Sequence, residues 1–194
     1  MMGRRIGQLA GAACFLVLTI GPSGVIAQGD KASAADKKFV KEAMQGGMAE
    51  VELGQLAAQK GQSADVKQFG QKMVDDHTKL NDQMKPVASQ LGITPPAALD
   101  MKHKAVSTKL NKLSGDEFDK AYIKAMVKDH QKDVAEFQKE ASTGSSAQVK
   151  DAASQGESVI SEHLKMIRQI AQAHNVDVGE GTTASNPAGA GNPR

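Results

Sequence analysis

From about residue 36 to residue 174, apolar side chains recur three and four positions apart, with Lys, Glu, Asp and Gln filling the intervals. That spacing lays one apolar stripe along a helix. The first helix is expected over 36 to 60, stopped by Gly61, and Ser63 is placed to cap a second that continues toward Leu91 before Gly92. Pro86 is expected to kink the last turns of that helix. Pro95 and Pro96 open a crossover holding a shorter helix near 98 to 113. Ser114, with Glu117 three residues on, reads as a capping box that starts a helix reaching about Ser142. A turn at 144 to 146 leads into the last long helix, which ends near His174. Alternating β-branched runs are missing, so strands are not expected.

Four long helices joined as two tight hairpins by one longer crossover describe an all-α fold, a ferritin-like antiparallel four-helix bundle with a short crossover helix. The stripes are explicit. The second helix offers Val66, Phe69, Met73, Leu80, Met84 and Val87; the next long one Phe118, Tyr122, Met126, Val134 and Phe137; the last Val149, Ala152, Ile160, Ile167 and Ile170. In each of these three stripes a histidine fills a gap: His77, His130 and His163.

Two of those histidines sit in the same cassette, aromatic-x-x-x-Met-Val-x-Asp-His-x-Lys, at residues 69–79 and 122–132. Residues four apart share a helix face, so Phe69, Met73 and His77 form one column, and Tyr122, Met126 and His130 another. On the first helix Glu50 falls between the directions of Phe39, Ala43 and Ala57 and also faces inward, with Glu52 toward the edge of that face. Counted from the two hairpin turns, Glu50, His77, His130 and His163 reach similar heights, to within roughly one helical turn. One carboxylate and three imidazoles from four helices make a first shell suited to one transition-metal ion, copper, zinc or iron. The thioethers of Met73 and Met126, one turn before their histidines, extend the set toward copper(I). The competing reading is a hydrogen-bonded polar layer without an ion, with Tyr122 as a partner for an imidazole. Asp76, Asp129 and Glu162 stand one position before each histidine and are expected to face solvent or pair with Lys72 or Lys132, while His103 and His174 are expected to be exposed.

Composition and charge narrow the function classes. A di-iron centre of ferritin type needs Glu-x-x-His on two helices. Val74, Val127 and Ile160 occupy the positions three before the histidines, so that centre is not expected, nor is a catalytic constellation of any other recognisable type. Arg4 and Arg5 precede an apolar stretch from Leu9 to Ile20, and Val25-Ile26-Ala27 supplies a cleavage signal, so residues 1–27 read as a secretory signal peptide. The chain is expected to be periplasmic or secreted, without a membrane span. Those two arginines are the only charged residues before Asp30 and account for the formal +2, so the mature chain is neutral and carries no field for nucleic acid. Cys14, the single cysteine, lies within the signal, which excludes disulfides and thiolate chemistry afterwards. Residues 28–35 read as a linker, 36–176 as the bundle, and 177–194, rich in Gly, Ala, Asn and Thr, as a disordered tail.

The segment Met48-Ala49-Glu50-Val51-Glu52-Leu53-Gly54-Gln55-Leu56-Ala57, then Phe69-Gly70-Gln71-Lys72-Met73-Val74-Asp75-Asp76-His77-Thr78, then Phe118 to Tyr122 with Met126 and His130, and finally His163-Leu164, resemble the secreted bacterial family called domain of unknown function 4142. The resemblance covers about residues 38 to 176. It implies an exported ferritin-like bundle and names no substrate or activity. Two readings follow. One is a non-catalytic, stress-related or partner-binding cell-envelope protein with a buried histidine layer, its protein partner and oligomeric state open. The other is a transition-metal-binding protein built on Glu50, His77, His130 and His163.

Overall fold

The computed structural model describes residues 31–179, which form five helices: α1 (Ala34–Lys60), α2 (Ala64–Gln90), α3 (Met101–Asn111), α4 (Gly115–Thr143) and α5 (Ala147–Ala173). No strand occurs among the described residues. The expected signal peptide, and the tail beyond residue 179, lie outside them. α1 and α2 pack as one hairpin and α4 and α5 as the other; α2 lies against α5 and α1 against α4, closing a four-helix ring, and α3 rests on α1 and α4.

Buried carboxylates at the helix ends define the connectivity. Near the start of α4, Asp119 accepts hydrogen bonds from the Gln62 and Ser63 amides, both at 2.9 Å, and from the Ser63 hydroxyl at 2.6 Å. The start of α4 is therefore held against the α1–α2 turn. Near the start of α1, Asp36 accepts from the Ser145 and Ser146 amides at 3.0 and 3.1 Å, which holds the α4–α5 turn against that end. Thus α4 runs parallel to α2, and the crossover bearing α3 must travel the length of the bundle. This is the ferritin-like connection.

One helix start and two expected caps differ from expectation. α1 begins at Ala34, inside the expected linker, because Ser33 and Asp36 form a reciprocal capping box: the Ser33 hydroxyl accepts from the Asp36 amide and the Asp36 carboxylate from the Ser33 amide. At α4 the expected box of Ser114 and Glu117 is not made. Gly115 adopts φ +59°, a left-handed conformation that turns the chain as the helix opens. Ser63 precedes α2 but makes no side-chain cap, since its hydroxyl is spent on Asp119. α2 continues through Pro86 to Gln90.

The core consists of two apolar clusters, one built around Leu53, Phe69, Met73, Phe118, Tyr122 and Ile167, the other around Phe39, Val40, Met44, Met84, Val87 and Val149. On every long helix the histidine, or Glu50 on α1, falls in sequence between members of the two. The polar side chains thus form a layer at mid-bundle. In the first hairpin the helices approach closely where Gly54 meets Gly70: a Cβ on either would lie 2.7 Å from the other's carbonyl oxygen. No described helix is long and apolar enough to cross a membrane.

Candidate metal centre

His77, His130 and His163 are all buried, at 4%, 0% and 0% exposure. They come together as the sequence columns require. One ring nitrogen from each lies within 4.8 Å of the other two, and the ring centroids form a triangle with sides of 5.3, 5.7 and 6.0 Å. Phe69 closes one side, its ring 6.2 Å from that of His163 and 6.4 Å from that of His130.

Two of the rings are oriented from behind. His130 Nδ1 lies 3.0 Å from the Met126 carbonyl oxygen, one turn back on α4, and donates its proton there. His163 Nε2 lies 3.0 Å from Asp76 Oδ2, across the α2–α5 interface. Their other nitrogens, His130 Nε2 and His163 Nδ1, are buried without a partner, and so is His77 Nε2. Burial followed by the neighbouring imidazoles holds His77 well below its ordinary range. Burial and His163 bring His130 down to about 4, although Asp129 and the Met126 bond oppose this. Burial lowers His163 as well, with Asp76 opposing. All three are neutral at pH 7. Each then carries a lone pair, which is the protonation state a metal ligand needs.

A hydrogen-bonded layer built from protein groups alone is not formed here: one ring nitrogen of each histidine has no protein partner. Such a layer would leave no ring nitrogen bare, since an unpaired buried polar atom costs about 1–3 kcal/mol. Tyr122, expected as its hydroxyl partner, makes no hydrogen bond; its ring stacks on Phe118 at 6.0 Å and meets Phe69 edge-on at 6.3 Å. Met73 and Met126 are buried members of the first apolar cluster, which accounts for both as packing.

The four-residue set read from the sequence divides. Glu50 is 1% exposed and faces inward as expected, but its carboxylate groups with those of Asp129 and Asp133, with one oxygen of each within 4.8 Å of the other two. It does not join all three histidines within that distance. Burial, then Asp129 and Asp133, push the Glu50 carboxyl well above its ordinary range, with Lys102 opposing. Burial also raises Asp133 to about 6. Asp129, expected toward solvent, is half-buried and faces Lys102 at 3.6 Å. Asp76 does pair with Lys72, at 2.7 Å, yet adds the bond to His163 that neighbour spacing alone did not reveal. Asp133 was missed as well, although it stands three residues after His130 and shares its face.

Two further expectations are corrected. His103 is buried on α3 with Nδ1 2.9 Å from Asp100, because Asp100 caps that helix and α3 lies on the bundle. His174 at the end of α5 is half-buried, its Nε2 2.9 Å from Asp65 at the start of α2. A cavity of about 650 Å³ reaches His77, Asp129 and Asp133 from a rim that includes Lys38, Glu42 and Lys102.

Among solved structures, the fold resembles a DUF305 fragment from Deinococcus radiodurans, with a TM-score of 0.65 and 15% identity over 73% of this chain and 98% of that one. It also resembles a DUF305 protein from Streptomyces coelicolor, described as secreted, with a TM-score of 0.63 and 13% identity over 75% and 97%. At those identities the likeness is one of fold. No curated protein matches the chain. The family model described as a domain of unknown function (DUF4142) matches residues 22–170, and the chain belongs to that family.

Proposed function

We propose that this is an exported bundle protein that binds one transition-metal ion through His77, His130 and His163, to hold, buffer or deliver it. The observation that carries this reading is the set of three buried, unpartnered ring nitrogens, one on each histidine, where the rings converge. Metal-bound histidines commonly donate their second ring N–H to a carboxylate or backbone carbonyl, and His163 and His130 are held in those two ways. Three imidazoles suit zinc, copper, iron or nickel. His77 also lines the cavity, which gives an ion a route inward and a water molecule as a further ligand. Export rests on the signal-peptide pattern of residues 1–27.

The test is the metal content of the protein, purified from an exported preparation without chelator and measured by elemental mass spectrometry. A His77→Ala, His130→Ala double variant is measured beside it. A near-stoichiometric ion in the wild type, absent from the folded double variant, supports the proposal. Equal content in both, or no uptake by the wild type when offered zinc or copper, rejects it.

A further inference from the structure

Beside the histidines, on the α1–α4 side of the same layer, three carboxylates converge, and the innermost of them, Glu50, faces no cation within ion-pair distance. Glu50 comes from α1, and Asp129 and Asp133 come from one turn of α4. Two lysines reach the group from its rim: Lys102, extended from α3, lies 3.6 Å from Asp129 Oδ1, and Lys132 lies 3.5 Å from Asp133 Oδ1, with 59% and 51% of their side chains exposed. Packing acids together in a bundle interior is costly unless something positive or a proton lies between them. Both Glu50 carboxylate oxygens are buried and have no donor while the group is ionised; Asp129 is close enough to share a proton with Glu50. The Tyr122 hydroxyl is a second unpartnered buried group; it is fully buried on the same α4 and near enough to feel the Glu50 charge. A fully buried, unsatisfied carboxylate facing two further carboxylates points to a ligand between them.

We propose that Glu50, Asp129 and Asp133 form a second cation site, selective for a hard, oxygen-preferring divalent ion such as Mn²⁺, Mg²⁺ or Ca²⁺, distinct from the imidazole site. Carboxylate oxygens suit that class, and imidazole nitrogens do not compete for it. Asp129 and Asp133 line the 650 Å³ cavity, so an ion enters from solvent and keeps water on its open positions, as Mg²⁺ in particular does. Lys102 and Lys132, both more than half exposed, are the counter-ions that give way. The rival occupant is a proton shared between Glu50 and Asp129. It neutralises one charge and leaves Tyr122 alone, and it predicts no response to hard cations.

The chain offers an internal reporter, since Tyr122 is its only tyrosine and tryptophan is absent. Tb³⁺ is a hard, oxygen-seeking ion whose emission is sensitised by a nearby phenol. Full-length mature protein, stripped with chelator, is titrated with Tb³⁺ under tyrosine excitation, alone and after loading with Zn²⁺ to fill the imidazole site. Saturable emission near one equivalent is expected, unchanged by prior Zn²⁺, displaced by Mn²⁺ or Ca²⁺, and at least tenfold weaker in affinity in Glu50→Gln and in Asp133→Asn. The first substitution keeps the shape of a buried side chain, and the second lies at the half-exposed cavity wall; the competition experiment needs no variant. Absence of sensitised emission overturns the site. So does emission indifferent to both substitutions, or emission abolished by one equivalent of Zn²⁺. Because the histidine variant His77→Ala, His130→Ala should retain Tb³⁺ binding, failure of the imidazole site leaves this result intact, and the reverse holds as well.

Discussion

Asp76→Asn tests whether the imidazoles are oriented for binding or merely packed. Asp76 Oδ2 accepts from both His163 Nε2 at 3.0 Å and Lys72 Nζ at 2.7 Å, with 19% of its side chain exposed. Burial raises its pKa, but Lys72 and His163 outweigh burial and bring it from 3.8 down to about 2. A carboxylate whose folded pKa is depressed contributes stability above its unfolded pKa, and that stability is lost as pH falls through the folded value. The shift is worth up to about 2 kcal/mol at 1.36 kcal/mol per unit. Asparagine keeps the shape and one acceptor, so the expected loss at pH 7 is about 1–2 kcal/mol in urea unfolding of the metal-free protein. The gap to wild type should stay constant down to about pH 5 and then shrink between pH 4 and 2. The same substitution weakens the acceptor that holds His163 in the Nε2–H tautomer, so affinity for Zn²⁺ should fall about 10–100-fold. A variant with wild-type Zn²⁺ affinity but reduced stability refutes the orienting role and leaves Asp76 a packing and charge-pairing residue.

The metal-free protein should lose stability as pH falls from 6.5 toward 4, because burial lowers His130 to about 4 and the unfolded chain takes up protons first. The effect is up to about 3 kcal/mol for that group, checked by denaturant midpoints across the range, and a flat profile contradicts buried neutral imidazoles. Glu140 shows the opposite sign: burial and Asp36 raise its carboxyl to about 7, so its contribution is present below pH 4.5 and lost as pH rises to 7. Glu140→Gln should therefore stabilise the protein at pH 8 by about 1–2 kcal/mol and leave pH 4 unchanged, as measured by thermal unfolding. Gly70→Ala places a Cβ 2.7 Å from the Gly54 carbonyl oxygen and 2.8 Å from the Ala57 Cβ. A loss of about 1–3 kcal/mol is expected in chemical unfolding, and an unchanged midpoint would contradict close contact of α1 and α2 at this glycine pair.

Much of this architecture is legible in the chain because helical bundles report themselves through local periodicity. The ends at Lys60 and Thr143 fall within one residue of the glycine-bounded expectations, and all three histidine columns converge. What was not legible depends on the rotation of one helix against another. Glu50 faces inward as its helix direction requires, yet which inward groups it meets is decided by how α1 lies on α4, and that brings Asp129 and Asp133 to it. Asp76 reaches His163 across 87 residues of chain, a pairing no spacing rule on α2 contains. The caps failed for a different reason. Ser33, Ser63 and Ser114 are all chemically competent, and tertiary partners choose among them: Asp119 takes the Ser63 hydroxyl, while Asp36 serves both Ser33 and the α4–α5 turn.

X-ray absorption at the metal edge of the zinc- or copper-loaded protein tests the central claim most directly. Three imidazole nitrogens at about 2.0–2.1 Å, with a lighter oxygen scatterer and no sulfur, are predicted. A sulfur shell would bring Met73 or Met126 into the copper site, and an all-oxygen shell, or no bound ion, would contradict a metal held by His77, His130 and His163.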